Sequence, residues 1–176
     1  MRPEVKWIRS AGGPLICVED ALASSWHGTD LIAKSDIAHS ETDYARACHV
    51  RDYLGTVEIL GGSALILGDM PLETTVWRTS FGDTFIVRLF YMDPGTDVTR
   101  LLGLIDEEAL SAPDESIIFR IKTGSMVLFD SAISGADEKK EAISFGVSTG
   151  TYRIVTKVIN PDSRTSFLIH KFYLEM

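Results

Sequence analysis

Gly146-Val147-Ser148-Thr149-Gly150 has the Gly-x-Ser-x-Gly spacing of a nucleophile elbow, and Asp162 and His170 follow it in hydrolase order. An elbow needs a strand before the serine and a helix after it. Here Tyr152, Ile154, Thr156 and Val158 alternate, so a strand is expected to follow. Ser148 and Gly150 then shape a turn, and no catalytic residue is assigned. Cys48-His49 invites a thiol nucleophile or a metal. Neighbours on a strand point to opposite faces, and the chain has neither Cys-x-x-Cys nor His-x-x-x-His. Cys48 is read as a buried structural cysteine. His27, His39 and His170 are isolated, and His170 sits in an apolar stretch that suggests a packed histidine. No metal site and no cofactor is expected.

Residue types suited to binding are easier to find. Tyr44, Arg46 and Tyr53 belong to classes enriched at interface hot spots, with Asp52 beside them. Arg46 reads equally as an ion-pair partner of Asp43 or Asp52. Asp69, Glu73, Asp93 and Asp97 bracket the next strands, either as an acidic rim facing a basic cleft or as ordinary turn and cap residues. The run Asp137-Glu138-Lys139-Lys140-Glu141 reads as a solvated loop rather than a docking surface.

These residues must be positioned by short strands. Val5–Ser10 and Leu15–Val18 flank a Gly-Gly-Pro turn, and Glu19–Ser25 suits a short helix with acids in its first turn. Residues 29–42 show no period. Tyr44–Tyr53 reads as a strand with a turn or bulge. Thr56–Leu60 and Ser63–Leu67 suggest a hairpin about Gly61-Gly62, its second strand covered on both faces. Glu73–Thr79 and Thr84–Tyr91 follow as strands. In the latter, Phe85, Val87, Leu89 and Tyr91 share a face and Arg88 lies on the other. Val98, Leu101, Leu102, Ile105 and Ala109 recur at helical spacing, capped by Asp97, and Asp106 opens a second short helix if the segment breaks. Hairpins are expected about Thr123-Gly124 and Thr149-Gly150, and Ser166–Glu175 is the last strand. The fold class is therefore mainly β, α+β at most. It is expected as antiparallel sheets packed as a sandwich with one helical insertion. Residues 1–176 form one domain, with sub-halves 1–93 and 116–176 joined by the helical segment 94–115. The first sheet is expected to run to about Asp93.

Composition narrows the partners. Lys and Arg total 17 against 25 Asp and Glu, a net charge of −8. Phosphate contacts want the opposite balance, so nucleic acid is disfavoured, while a basic protein partner suits it. Two cysteines, Cys17 and Cys48, are too few for a disulfide framework. Residues 1–7 have no apolar core of a signal peptide, and no run approaches the ~18 apolar residues of a membrane helix. A cytoplasmic protein with reduced thiols and no membrane partner is expected.

Several pieces also carry a resemblance. Trp7-Ile8, Gly12-Gly13-Pro14-Leu15-Ile16, Trp26-His27-Gly28, Asp43-Tyr44-x-Arg46-Ala47-Cys48, Asp52-Tyr53-x-Gly55, Ala64-Leu65-x-Leu67-Gly68-Asp69 and Leu128-Phe129-Asp130-Ser131-Ala132 stand in this order. Together they make the chain resemble the immunity protein 21 family of bacterial polymorphic toxin systems. One departure is Thr29–Thr42, longer than the family's usual spacer. The resemblance implies a protein that neutralises a toxin domain encoded beside it. It would bind that cognate, basic domain one-to-one and occlude its active site without catalysis. Tyr44, Arg46, Asp52, Tyr53, Asp69, Glu73 and Asp93 are then the toxin-binding candidates. The alternatives left by the residues are a small thiol- or serine-dependent enzyme using Cys48 or Ser148, or a β-sandwich module binding a small ligand.

Overall fold

The computed structural model describes residues 5–30, 41–68, 70–80 and 82–175. In chain order the first strands are β1 (Leu15–Glu19), β2 (Leu54–Ile59), β3 (Gly62–Leu67), β4 (Glu73–Arg78) and β5 (Thr84–Met92). They are followed by β6 (Glu115–Ile121), β7 (Ser125–Asp130), β8 (Ala142–Gly146), β9 (Gly150–Asp162) and β10 (Thr165–Leu174). The protein is mainly β, as its alternating pattern predicts. The strands form two five-stranded sheets, in the orders β2-β3-β1-β7-β8 and β4-β5-β10-β9-β6. The β2–β3, β1–β3, β1–β7, β7–β8, β4–β5, β5–β10 and β9–β10 pairings are antiparallel. Helices are short: the 3-10 helix Asp20–Ser25, α1 (Asp43–Cys48) and α2 (Val98–Leu102).

The chain divides into two compact units. One holds Arg9–Pro71 and Ile121–Thr149; the other holds the segment ending at Ile8, Leu72–Arg120 and the chain from Gly150. In the first unit, β1 lies between β3 and β7, with Ile16 opposite both Ile66 and Phe129. Its residues and Ala64–Leu67 of β3 are buried throughout, and Leu15–Val18 and Ala64–Leu67 are accordingly apolar on both faces. One face of this sheet presents Ile16, Val18, Ala64, Ile66, Val127 and Phe129 to Trp26 and to Ala47 of α1. In the second unit, Phe85 and Val87 of β5 and Phe167 and Ile169 of β10 pack under Leu101, Leu102 and Leu110. The segment from α2 to Leu110 is thus the amphipathic cover its spacing predicts. Only Val98–Leu102 is α-helical, and turns follow with Asp106 Oδ1 accepting from the Ala109 N–H at 2.9 Å.

Several expectations are corrected. The N-terminal sheet up to about Asp93 is not one sheet, because β1–β3 and β4–β5 join different sheets. The segments about Thr123-Gly124 and Thr149-Gly150 are not hairpin turns: β6 and β7 belong to different sheets, as do β8 and β9. The Gly61-Gly62 turn is shifted by one residue, since Ile59 pairs with Gly62 and leaves Leu60-Gly61 as the loop. Residues 43–48 are helical, not extended. Thr42 caps the helix, its hydroxyl accepting from the Ala45 N–H at 3.0 Å, and Asp43 and Arg46 are an i, i+3 pair, a contact a helix allows and a strand does not.

Candidate functional site

In the first unit, the residues that could bind a partner are mounted on α1 and the turn into β2. The hub is Asp43, whose side chain is 3 % exposed. Its Oδ2 accepts the backbone N–H of His27 at 2.7 Å and lies 3.2 Å from His27 Nδ1. Its Oδ1 accepts from Arg46 at 2.5 Å. Burial pushes this carboxyl up. The hydrogen bonds from Arg46 and the His27 backbone, with the Arg46 charge, outweigh that and hold it below the usual carboxylate value. Arg46 also donates to the carbonyl of Glu58 at 2.7 Å, which ties α1 to β2. Of the two ion-pair partners read from the sequence, Arg46 takes Asp43 rather than Asp52.

The surrounding residues hold this arrangement against β7. Trp26 is fully buried and its indole N–H donates to the carbonyl of Ser131 at 2.8 Å. Ser131 donates to the carbonyl of Pro14 at 2.6 Å, and Asp130 accepts the backbone N–H of Ala11 at 2.8 Å. Gly28 carries φ +61°, and a Cβ there would stand 2.5 Å from the carbonyl oxygen of Ala132. Its own carbonyl accepts the N–H of Tyr44 at 3.0 Å. Gly68 is needed for a different reason: a Cβ would lie 2.1 Å from the Asp52 carbonyl oxygen. Buried Glu19 receives the N–H groups of Lys122 and Thr123 at 2.9 and 2.6 Å, which binds β1 to the turn that leads into β7.

Of the candidate residues, Tyr44 is half-buried in α1 with its ring against Gly13. Exposed Asp52 and half-buried Tyr53 line a cleft of about 260 Å³ with Cys48, Arg51, Gly68 and Met70. Asp69 lies outside the described residues. Glu73 and Asp93 belong to the other unit, so the seven do not all share one unit. Glu73 is exposed at the start of β4, and Asp93 is exposed 3.4 Å from Arg164. Asp97 caps α2.

The chemistry considered for Ser148 and Cys48 finds little support in the geometry. A strand, β9, begins at Gly150, and Ser148 is exposed in the preceding loop. Asp162 accepts the N–H of Arg164 at 2.9 Å, and His170 Nδ1 sits 2.9 Å from Thr156 Oγ1. His170 is fully buried, and burial with the neighbouring Arg88 charge lowers its pKa well below the ordinary histidine value. Cys48 ends α1, and His49 beside it turns to Glu41 at 3.6 Å. Buried Cys17 and half-buried Cys48 are not joined in a disulfide, and burial raises the pKa of Cys17. Among the described residues, no three His, Cys, Asp or Glu side chains gather as ligands for one ion, and no helix is long and apolar enough to cross a membrane.

The family model described as immunity protein 21 matches residues 6–165. The chain belongs to the immunity protein 21 family. No curated protein matches it, and no solved structure does. In this immunity protein 21 chain, the quoted motif residues are mostly scaffold: Trp26, Gly28, Asp43, Arg46, Gly68, Asp130 and Ser131 hold α1, the Gly-Gly-Pro turn and β7 together. Two arrangements lie outside the expectations drawn from the sequence. One is the contact of Asp43 with His27. The other is a group on the second sheet, where Lys171 is 4 % exposed in a central strand and meets Glu107 and Asp83. A signal for the second was present, because Phe167, Ile169 and Lys171 alternate on one face and place a lysine where the core should be.

Proposed function

We propose that this immunity protein 21 chain works in the bacterial cytoplasm and neutralises one cognate toxin domain of a polymorphic toxin system. It binds that domain one-to-one and covers its active site, with no catalysis, cofactor, nucleic acid or membrane involved, and residues 1–176 act as one domain. The family match over residues 6–165 carries the reading. The net charge of −8 supports a basic partner, drawn in by electrostatic steering that salt screens over roughly 8–10 Å. Asp52, Tyr53, Asp69, Glu73 and Asp93 are the proposed contacts, with Tyr44 as an aromatic anchor and Arg46 holding the helix that carries it.

Binding kinetics with the toxin domain encoded beside the gene test this. Association should slow as salt rises, and Glu73→Gln with Asp93→Asn should lower the on-rate more than it raises the off-rate. Ser148→Ala and Cys48→Ala should still protect cells from the toxin. A folded Ser148→Ala protein that binds normally and fails to protect would replace occlusion with a catalytic mechanism.

A further inference from the structure

The second unit holds a cavity that none of the proposed contacts lines. The turns after α2 cover one face of the sheet as far as Leu110, and beyond that cover Trp77 and Phe85 remain as walls of a cavity of about 420 Å³. This is within the size range of small-ligand sites. Lys171 reaches its edge from β10. The ammonium lies over the rings of Phe85 and Tyr173, at 5.4 and 4.5 Å from their centroids. It is bonded to Glu107 and lies 3.6 Å from Asp83. Tyr173 donates to the other oxygen of Glu107 at 2.6 Å.

The charges that line the cavity do not cancel. Asp83, Asp106 and Glu107 stand against the single Lys171, three negative charges to one positive, a net of −2. Lys171 is already held by two carboxylates, so an entering anion would displace Glu107 and still face the other acids. A cation meets the reverse situation. Glu107 and Asp83 are 68 % and 45 % exposed, which leaves carboxylate surface open to an incoming charge. The wall supplies a second requirement, since the rings of Trp77 and Phe85 offer aromatic surface beside the carboxylates.

We infer that this cavity receives a basic side chain of the protein partner, arginine foremost. Its stem lies against Trp77, Phe85 and Leu110, and its guanidinium faces Asp83, Asp106 and the outer side of Glu107. A planar guanidinium suits carboxylates and aromatic faces at once. The inference rests on the toxin-binding reading, because the partner supplying the arginine is the toxin domain.

The first measurement titrates Nα-acetyl-arginine N-methylamide into the protein while following the Trp77 indole resonance, assigned with Trp77→Phe. A saturable shift is expected. The citrulline analogue, which has the same shape without the charge, should bind at least tenfold more weakly. Asp83→Asn with Asp106→Asn keeps Lys171 and Glu107 in place and should weaken the arginine probe at least fivefold. The same double variant should bind the toxin domain at least tenfold more weakly while its thermal unfolding stays cooperative. An absent shift, equal binding of the citrulline analogue, or wild-type toxin affinity in the double variant overturns the inference. If the wild-type chain does not bind the toxin domain at all, both readings fall. If it binds and the double variant binds as well, only this one falls.

Discussion

Replacing Asp43 with alanine should cost about 3–4 kcal/mol of folding stability. The carboxylate is 3 % exposed and accepts one backbone N–H at 2.7 Å and one guanidinium N–H at 2.5 Å. A hydrogen bond to a charged group contributes roughly 1.5–3 kcal/mol, so the two together reach about 3–6 kcal/mol. The lower part of that range applies because Arg46 is 18 % exposed and keeps its bond to the Glu58 carbonyl, so it partly recovers water. Asp43→Asn should cost less, about 2 kcal/mol, since its amide oxygen can still accept from His27 while its NH2 opposes Arg46. The charge also has a pH signature. Because the folded pKa lies below the ordinary 3.8, the carboxylate stabilises the protein above about pH 4 and loses that effect as pH falls through the folded value. Asp43→Asn should remove that part of the acid dependence. Urea unfolding at pH 7 and at pH 3–4 gives both numbers, and a cycle with Arg46→Met should show a coupling of about 1.5–3 kcal/mol. A loss below about 1 kcal/mol for Asp43→Ala would refute the hub.

Three further outcomes follow from other residues. His170 is buried with its pKa depressed below 6.5, so its contribution is complete above pH 6.5 and falls as pH drops below it, by up to about 1.4 kcal/mol per pH unit. Urea midpoints between pH 5 and 7.5 should flatten in His170→Gln, and an unchanged slope would contradict this. Gly28→Ala should destabilise by about 2 kcal/mol or more, because positive φ and the Ala132 carbonyl both oppose a Cβ, whereas Gly82→Ala, at φ +93° with no atom near, should cost only about 1 kcal/mol. Thermal unfolding of the two variants compares them, and equal losses would count against the Ala132 contact. Trp26→Phe should cost roughly 1–3 kcal/mol by leaving the Ser131 carbonyl without its donor, and a neutral result in urea unfolding would show that the site rearranges.

The β-rich class, the covered strand Ala64–Leu67, the face shared by Phe85, Val87 and Leu89, and the cover from Val98 to Leu110 were legible because each is a local periodicity. Sheet membership was not. Period-two alternation is the same whichever sheet a strand joins, and a Gly-containing break serves a hairpin or a crossover equally well. Gly124 is a case in point: it carries φ +75°, which a turn would also want, yet it lies beside Val147 and its carbonyl accepts the Val147 N–H at 3.0 Å. Residues 43–48 were not legible as a helix because aromatic and charged residues alternate there as they would in a strand. The Thr42 cap and the i, i+3 spacing of Asp43 and Arg46 were the better signal. The candidate site was legible only as residue types. That Arg46 would be occupied by Asp43, and that Glu73 and Asp93 would fall in the other unit, depends on contacts between distant parts of the chain. Lys171 was visible as a lysine among core positions, and its partners Glu107 and Asp83 were not, since no spacing links them.

Neutralisation by stoichiometric binding is checked by calorimetric titration of the toxin domain encoded beside the gene, with toxin activity assayed at each addition. A single transition at one chain per toxin domain is expected, with activity falling in step with the bound fraction and an unmodified, active toxin recovered after the complex is separated. No heat of binding, or complete loss of toxin activity at a small fraction of one equivalent, would contradict it.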